Sequence, residues 1–287
     1  MKELGAGVLF VFLWASASVA TKLGIQSCPP LTLAALRLVG AGVLLCGYVY
    51  GVRRRYPLPA GGQWPRLAVL AFLNTTVYLG AYVLALRTVP AGLASLFVAI
   101  NPLLITLFSA GLLRRRVAAT EWLGLLLALA GLGLCAVPVL RAGVGGAAGG
   151  LWLLGGGMVS YSLGSVLFAR FALPLPTLVV NAWQVLLGGV ALVPLIGWLG
   201  GGGPVVPGAR FWGALGWLVG PVSIGAVQLW LRLLARDAVD AGKWLYLVPL
   251  VGYGLAYALL GEPITGWAMG GTAVALAGVA IGRVRRS

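Results

Sequence analysis

The sequence predicts an all-α membrane protein with ten transmembrane helices, built as two inverted five-helix repeats. Three observations lead there. Of 287 residues, 61% are apolar and 9% charged, whereas a soluble domain carries about 25% charged residues. Apolar runs of spanning length succeed one another along the chain with short connections, and the chain is similar to itself at a constant offset. With a mean hydropathy of +1.02, polar side chains are too few to coat a water-facing surface. A soluble enzyme, a secreted scaffold and a disordered tail are excluded.

A spanning helix needs about 20 mostly apolar residues, and Pro, Gly and Arg punctuate the runs. The first five spans are expected at Leu4–Leu23, Leu31–Gly51, Leu67–Leu86, Ala91–Leu113 and Ala118–Leu140. The second five are expected at Gly149–Phe171, Pro176–Leu199, Phe211–Leu233, Ala241–Leu260 and Thr265–Gly282. Residues 4–140 and 149–283 then form the two repeats of one integral membrane domain. The first run ends in Ser18-Val19-Ala20, which resembles a secretory cleavage site, but its place in the repeat argues against cleavage. The 45 glycines suit helices whose backbones approach closely in lipid.

Basic residues set the orientation. With a cytoplasmic amino terminus, the inner side holds thirteen of them: Lys2, Arg53, Arg54, Arg55, Arg66, Arg114, Arg115, Arg116, Arg170, Arg236, Arg283, Arg285 and Arg286. The outer side holds four: Lys22, Arg87, Arg141 and Arg210. Both termini are therefore expected in the cytoplasm, in a cytoplasmic (inner) membrane. Because the bases behind the net charge of +15 sit in clusters between apolar runs, they are topology signals, and no nucleic-acid partner is expected.

The offset is 147 residues. It carries Trp14 onto Tyr161, Ser18 onto Ser165, Pro29 onto Pro176, Pro102 onto Pro249, and Ala128-Leu129-Ala130-Gly131 onto Ala275-Leu276-Ala277-Gly278. A unit of five spans is odd, so its second copy must insert upside down. The charges agree: Arg53-Arg54-Arg55 falls on Gly200-Gly201-Gly202, and Arg114-Arg115-Arg116 on Gly261-Glu262-Pro263. Inverted halves are the build of alternating-access carriers, with a solute site between them near mid-membrane.

The second half contains Ala241-Gly242-Lys243-Trp244-Leu245-Tyr246-Leu247-Val248-Pro249-Leu250 and Leu259-Leu260-Gly261-Glu262-Pro263-Ile264. The first half has Ala94-Ser95 and Asn101-Pro102-Leu103 at the matching places. In these motifs the chain resembles the EamA-type branch of the drug/metabolite transporter superfamily over nearly its whole length. It departs from the pattern where Arg114-Arg115 replaces the Gly-Glu pair after the fourth span. The resemblance implies movement of small metabolites, and the best-studied similar bacterial members are amino-acid exporters of the YddG type, which handle aromatic and other neutral amino acids.

Several residues are candidates for meeting a solute. Asn74, Tyr78 and Tyr82 recur at helical spacing on one face of the third span, and intramembrane polar groups tend to face the bundle interior. Trp14 and Tyr161 match under the offset, each followed four residues later by a serine, Ser18 and Ser165. Trp14 lies too deep for an interfacial belt, where Trp64, Trp198 and Trp212 are expected. Asn101, Trp244 and Tyr246 complete the set. Pro102 and Pro249 are expected to kink spans four and nine near mid-membrane, freeing a carbonyl, so that these helices line the cavity and bend during gating. Arg37 has two readings: snorkelling to the outer surface, or contact with Glu262 or a solute carboxylate.

The five acids, Glu3, Glu121, Asp237, Asp240 and Glu262, fall at or near span ends, which disfavours a proton-coupled exporter of cations. There is no histidine, and Cys28, Cys46 and Cys135 show no paired spacing. No metal, cofactor or catalytic group is expected. The expected partners are a small-molecule substrate and membrane lipid, with a monomer as the working state. The leading expectation is a facilitative exporter of neutral apolar or aromatic amino acids. Next come carriers of a nucleoside, sugar derivative or organic anion, and last an intramembrane lipid-modifying enzyme.

Overall fold

The computed structural model describes residues 2–54, 56–112, 118–143, 145–199, 202–236, 241 and 244–282. Among the described residues there is no strand. Among the described residues eight helices are long and apolar enough to cross a membrane: α1 Leu4–Gly24, α2 Pro30–Arg53, α3 Gly61–Ala85, α4 Ala91–Leu112, α5 Ala119–Arg141, α6 Ala147–Phe171, α7 Thr177–Trp198 and α8 Ala209–Ala235. Two shorter apolar helices follow, α9 Val248–Leu260 and α10 Gly266–Ile281. The chain is a multi-pass membrane protein. Arg55, Arg114, Arg115, Arg116, Gly200, Gly201, Asp237, Asp240, Lys243, Arg283, Arg285 and Arg286 lie outside the described residues.

Most boundaries fall within two residues of those expected. The third span begins earlier, at Gly61, because the Gln63 side chain caps the Ala60 amide at 2.8 Å and Pro65 occupies the first turn, where its missing N–H costs nothing. The ninth is the larger difference. Expected from Ala241, the ninth span is helical at Ala241, Trp244 and Leu245, turns at Tyr246 and Leu247, and resumes as α9 at Val248. Pro249 stands in the first turn after that interruption. Pro102 is similar: it follows a 3₁₀ turn at Val98–Ile100 and is the second residue of the α-helical stretch Asn101–Leu112. At both prolines the regular ladder is broken at a junction between helical stretches, since a proline fits where no N–H bond is required.

Two seams hold the bundle. In the first, α5 lies against α10 through glycine. A Cβ at Gly124 would strike the Gly278 carbonyl and the Gly282 backbone, and one at Gly131 the Gly271 carbonyl and the Ala275 backbone. In the second, α2 lies against α7: Gly42 faces the Leu186 backbone, and Gly189 faces Leu38 and the Val39 amide. Without a hydrophobic driving force in lipid, such backbone approach supplies the packing that holds helices together.

Among the described residues three stretches are π-helical, and two of them sit inside spans at matching places. These are Phe72–Val77 in α3 and Leu218–Ala226 in α8. In α3 the hydroxyls of Thr75 and Thr76 both donate back to the Ala71 carbonyl. In α8 Pro221 has no N–H to return to the preceding turn. Either device loosens the regular ladder and admits the wider turn, and π-turns inside helices gather at functional sites.

Candidate functional site

The cleft between α1, α2, α3, α6, α7 and α8 is lined by rings. Trp14 comes from α1, Tyr78 and Tyr82 from α3, Tyr161 from α6, and Trp230 from α8. Tyr78 and Tyr161 are 4.6 Å apart between centroids, Trp14 and Tyr161 5.8 Å, and Tyr161 and Trp230 6.2 Å. Phe10 backs the cage, 5.3 Å from Trp14 and stacked on Trp230 at 5.4 Å. These are ordinary aromatic-pair separations, so the rings support one another before anything enters.

The polar part of the lining comes largely from the π-helical stretches: Asn74 and Thr75 from one, Ser223 from the other. The Asn74 Nδ2 donates to Gln184 Oε1 at 3.3 Å, and Thr75 Oγ1 donates to the Gln184 carbonyl at 3.1 Å. Arg37 of α2 is the one charged side chain among the described residues of this cleft. It is 6% exposed, and its Nε donates to Ser223 Oγ at 2.8 Å. Snorkelling of Arg37 to the surface is therefore overturned: Ser223 holds the guanidinium inward.

The cavity has a volume of about 50 Å³. One water needs about 10–15 Å³ on this scale, so it holds a few waters and is narrower than an amino acid.

The sequence-derived candidates divide. Trp14, Asn74, Tyr78, Tyr82 and Tyr161 meet in the cleft. Ser18 and Ser165 lie next to it but turn their hydroxyls to the carbonyls of Ala15 and Tyr161, the back-bonding usual for helical serine. Asn101 is fully buried and accepts at Oδ1 from Ser162 Oγ at 3.1 Å. Trp244 packs against Gly7 of α1, and Tyr246 is partly buried at the turn before α9. Among the described residues neither α4 nor α9 lines the cleft, so the expectation that they wall it is corrected. Their prolines sit at helix junctions packed inside the bundle, Pro102 and Pro249 both buried.

Those helices border a second cavity of about 310 Å³, at the end of the bundle that holds Gly24, Leu86 and Gly261. Two opposite charges flank its α3–α4 turn. Lys22 Nζ donates to the carbonyls of Leu86 and Val89, both at 2.8 Å. Glu262 accepts from the amides of Ala91 and Gly92, at 2.8 and 3.0 Å. Each charge suits its helix terminus: a cation at the carbonyl end of α3 and an anion at the amide end of α4. Cys135 and Tyr253 line the same space.

Residues 1–137 match the EamA-like transporter family. The first half of the chain is similar to that family. Relatives extend the similarity into the second half. The uncharacterised inner membrane transporter YedA of Escherichia coli is 29% identical over 268 residues, 90% of this chain and 84% of its own. A probable terminal-alkyne amino-acid exporter of Streptantibioticus cattleyicolor is 28% identical over 285 residues, 97% of this chain and 92% of its own. An uncharacterised transporter of Synechocystis is 28% identical over 200 residues, 64% of this chain and 60% of its own length. A protein crystal structure, 26% identical, superposes with a TM-score of 0.69 over 98% of this chain and 96% of that one. The chain is a multi-pass membrane protein similar to transporters of EamA type.

Trp230, Ser223 and Gln184 are cleft residues that the sequence did not single out. A signal existed for two of them. Ser223, Val227, Trp230 and Leu234 recur at helical spacing along one face of α8, and all four line the cleft.

Proposed function

We propose that this transporter has ten spans in two inverted repeats and exports small neutral amino acids with aromatic or apolar side chains. It works by alternating access across the cytoplasmic (inner) membrane, with both termini inside and without proton coupling. The inverted repeat is supported by the two seams. Shifting by 147 residues turns the Gly124–Gly278 approach into Gly271–Gly131, and Gly42–Leu186 into Gly189–Val39, and all four approaches occur. A two-fold axis in the membrane plane relates contacts in this way. The π-helical stretches of α3 and α8 obey the same shift.

The observation that carries the substrate class is the aromatic cage, with Trp14 and Tyr78 from one half and Tyr161 and Trp230 from the other. Rings offer stacking and desolvation to apolar side chains. A site shared by both halves is remade when they rock against each other. The exporter from Streptantibioticus cattleyicolor, similar along nearly the whole chain, favours an amino-acid solute.

Two experiments test this. Single cysteines replacing Arg53 and Gly202, in a background lacking Cys28, Cys46 and Cys135, are expected to label from opposite faces of intact cells; labelling from one face removes the inverted repeat. Purified protein in lipid vesicles is expected to equilibrate labelled tryptophan or phenylalanine down its gradient, and an imposed pH gradient is expected to give no accumulation. No protein-dependent flux across a panel of amino acids removes the substrate class, and uphill accumulation driven by pH removes the facilitative mechanism.

A further inference from the structure

The charge inside the cleft narrows the substrate beyond the class proposed above. Arg37 is buried, and among the described residues no carboxylate lines the cavity with it. A guanidinium has five N–H donors in a planar fork. The Nε is taken by Ser223 Oγ. Among the described residues neither Nη makes a hydrogen bond, and Arg37 lines the cavity. A charge removed from bulk water is costly unless it is paired and hydrogen-bonded. Tyr78, Tyr82 and Gln184 surround it with dipoles and rings, which carry no compensating charge.

The matching position in the other half makes the point sharper. The offset carries Arg37 onto Gln184, a neutral side chain whose Oε1 already accepts from Asn74 Nδ2. The cavity thus has one charged pole and an aromatic remainder. A fork with two free N–H edges fits a planar carboxylate in bidentate fashion. The opposite pole offers an α-ammonium only ring faces and neutral oxygens, under repulsion from the same guanidinium.

We infer that Arg37 is the carboxylate-binding residue of the cleft, and that the site selects aromatic monocarboxylates by ring and carboxylate without requiring an α-ammonium. The inference rests on the cleft being the solute site proposed above. Aromatic carboxylic acids that lack the amino group or carry it acylated are then ligands as good as the parent amino acids. Molecules that keep the ammonium and lose the carboxylate are poor ones. The cavity must widen to admit either, so Arg37 is neutralised by the solute only in the loaded state.

The test uses the intact purified chain and three probes: tryptophan, indole-3-propionate (carboxylate without ammonium) and tryptophanamide (ammonium without carboxylate). Binding is read by thermal shift and by competition with labelled tryptophan uptake at pH 7.5. Indole-3-propionate is expected to compete within about threefold of tryptophan, and tryptophanamide at least about tenfold more weakly. In Arg37→Gln the preference for the acid over the amide is expected to disappear, and in Arg37→Lys to return in part, since charge is restored without the fork. The comparison of probes on the unmodified protein stands even where a variant fails to fold. Equal competition by acid and amide, or full discrimination retained in a folded Arg37→Gln protein, overturns the inference. If tryptophan is not carried but indole-3-propionate still raises the melting temperature through Arg37, the amino-acid reading fails and this one holds. If tryptophan is carried and acid and amide compete equally, the reverse follows.

Discussion

Gly131→Ile is expected to lower the melting temperature of the purified protein by on the order of 10 °C, whereas Gly133→Ile, two residues along the same helix, leaves it nearly unchanged. A side chain at Gly131 runs into the Gly271 carbonyl and the Ala275 backbone, while at Gly133 nothing lies within 4 Å. Overpacking a close contact costs about 1–3 kcal/mol and at times more, and a backbone cannot step aside as a flexible side chain does. A cost of about 3 kcal/mol corresponds to a shift of that order for a chain of this size. At Gly133 isoleucine projects outward from the bundle, where a change stays within about 0.5 kcal/mol. Gly278→Ile should match the loss at Gly131, since it meets the Gly124 carbonyl and the Ala128 amide across the same seam. Thermal unfolding in detergent, followed by tryptophan fluorescence, gives all three values. Equal melting temperatures for the Gly131 and Gly133 variants would show that the seam carries little of the stability, and would also weaken the two-fold relation inferred from it.

The seam shows what hydropathy and spacing reveal and what they hide. The sequence carries the span boundaries because a run of apolar residues ended by Pro, Gly or Arg has a length fixed by the bilayer. It also carries the offset of 147 residues that puts Gly124 on Gly271 and Gly131 on Gly278, but not that those four glycines face one another, which depends on how the helices rotate. The face of α3 bearing Asn74, Tyr78 and Tyr82 was legible from its period of about four residues, and these three residues line the cleft. Trp230 was hidden among eleven tryptophans, most of them easily assigned to interfaces; only its register with Ser223 on α8 distinguishes it. The prolines mark the breaks in spans four and nine but not their form. A sequence marks where a helix lacks one N–H, but not whether the chain bends through that point, as in a kink, or begins a new helix there, as at Pro249. The π-helical stretches were invisible for a related reason, since a widened turn leaves composition unchanged. Arg37 was flagged with two readings, and the choice fell to Ser223, a residue 186 positions away in the chain.

Glu262→Gln is expected to raise the rate at which a membrane-impermeant maleimide reaches Cys135 by about tenfold, in a protein whose other cysteines, Cys28 and Cys46, are replaced. Glu262 accepts two backbone N–H bonds at the start of α4, and Lys22 donates to two carbonyls at the end of α3. The α3–α4 turn is therefore gripped from α1 on one side and from the segment after α9 on the other. Those two elements come from different halves of the chain, so the grip joins the halves at that end of the bundle. Hydrogen bonds to a charged group contribute about 1.5–3 kcal/mol, enough at the lower end to shift an opening equilibrium by about tenfold. Glutamine keeps the size and one acceptor oxygen but loses the charge that favours the amide end of α4. Cys135, buried beside this turn and lining the same 310 Å³ space, reports the opening without an added probe site. Lys22→Gln should act in the same direction, and Glu262→Asp should retain part of the restraint. If Cys135 labels at an unchanged rate in a folded Glu262→Gln protein, the carboxylate serves only as a helix cap, and closure at this end must be sought in the packing of α4 against α9, where Gly92 and Tyr253 meet.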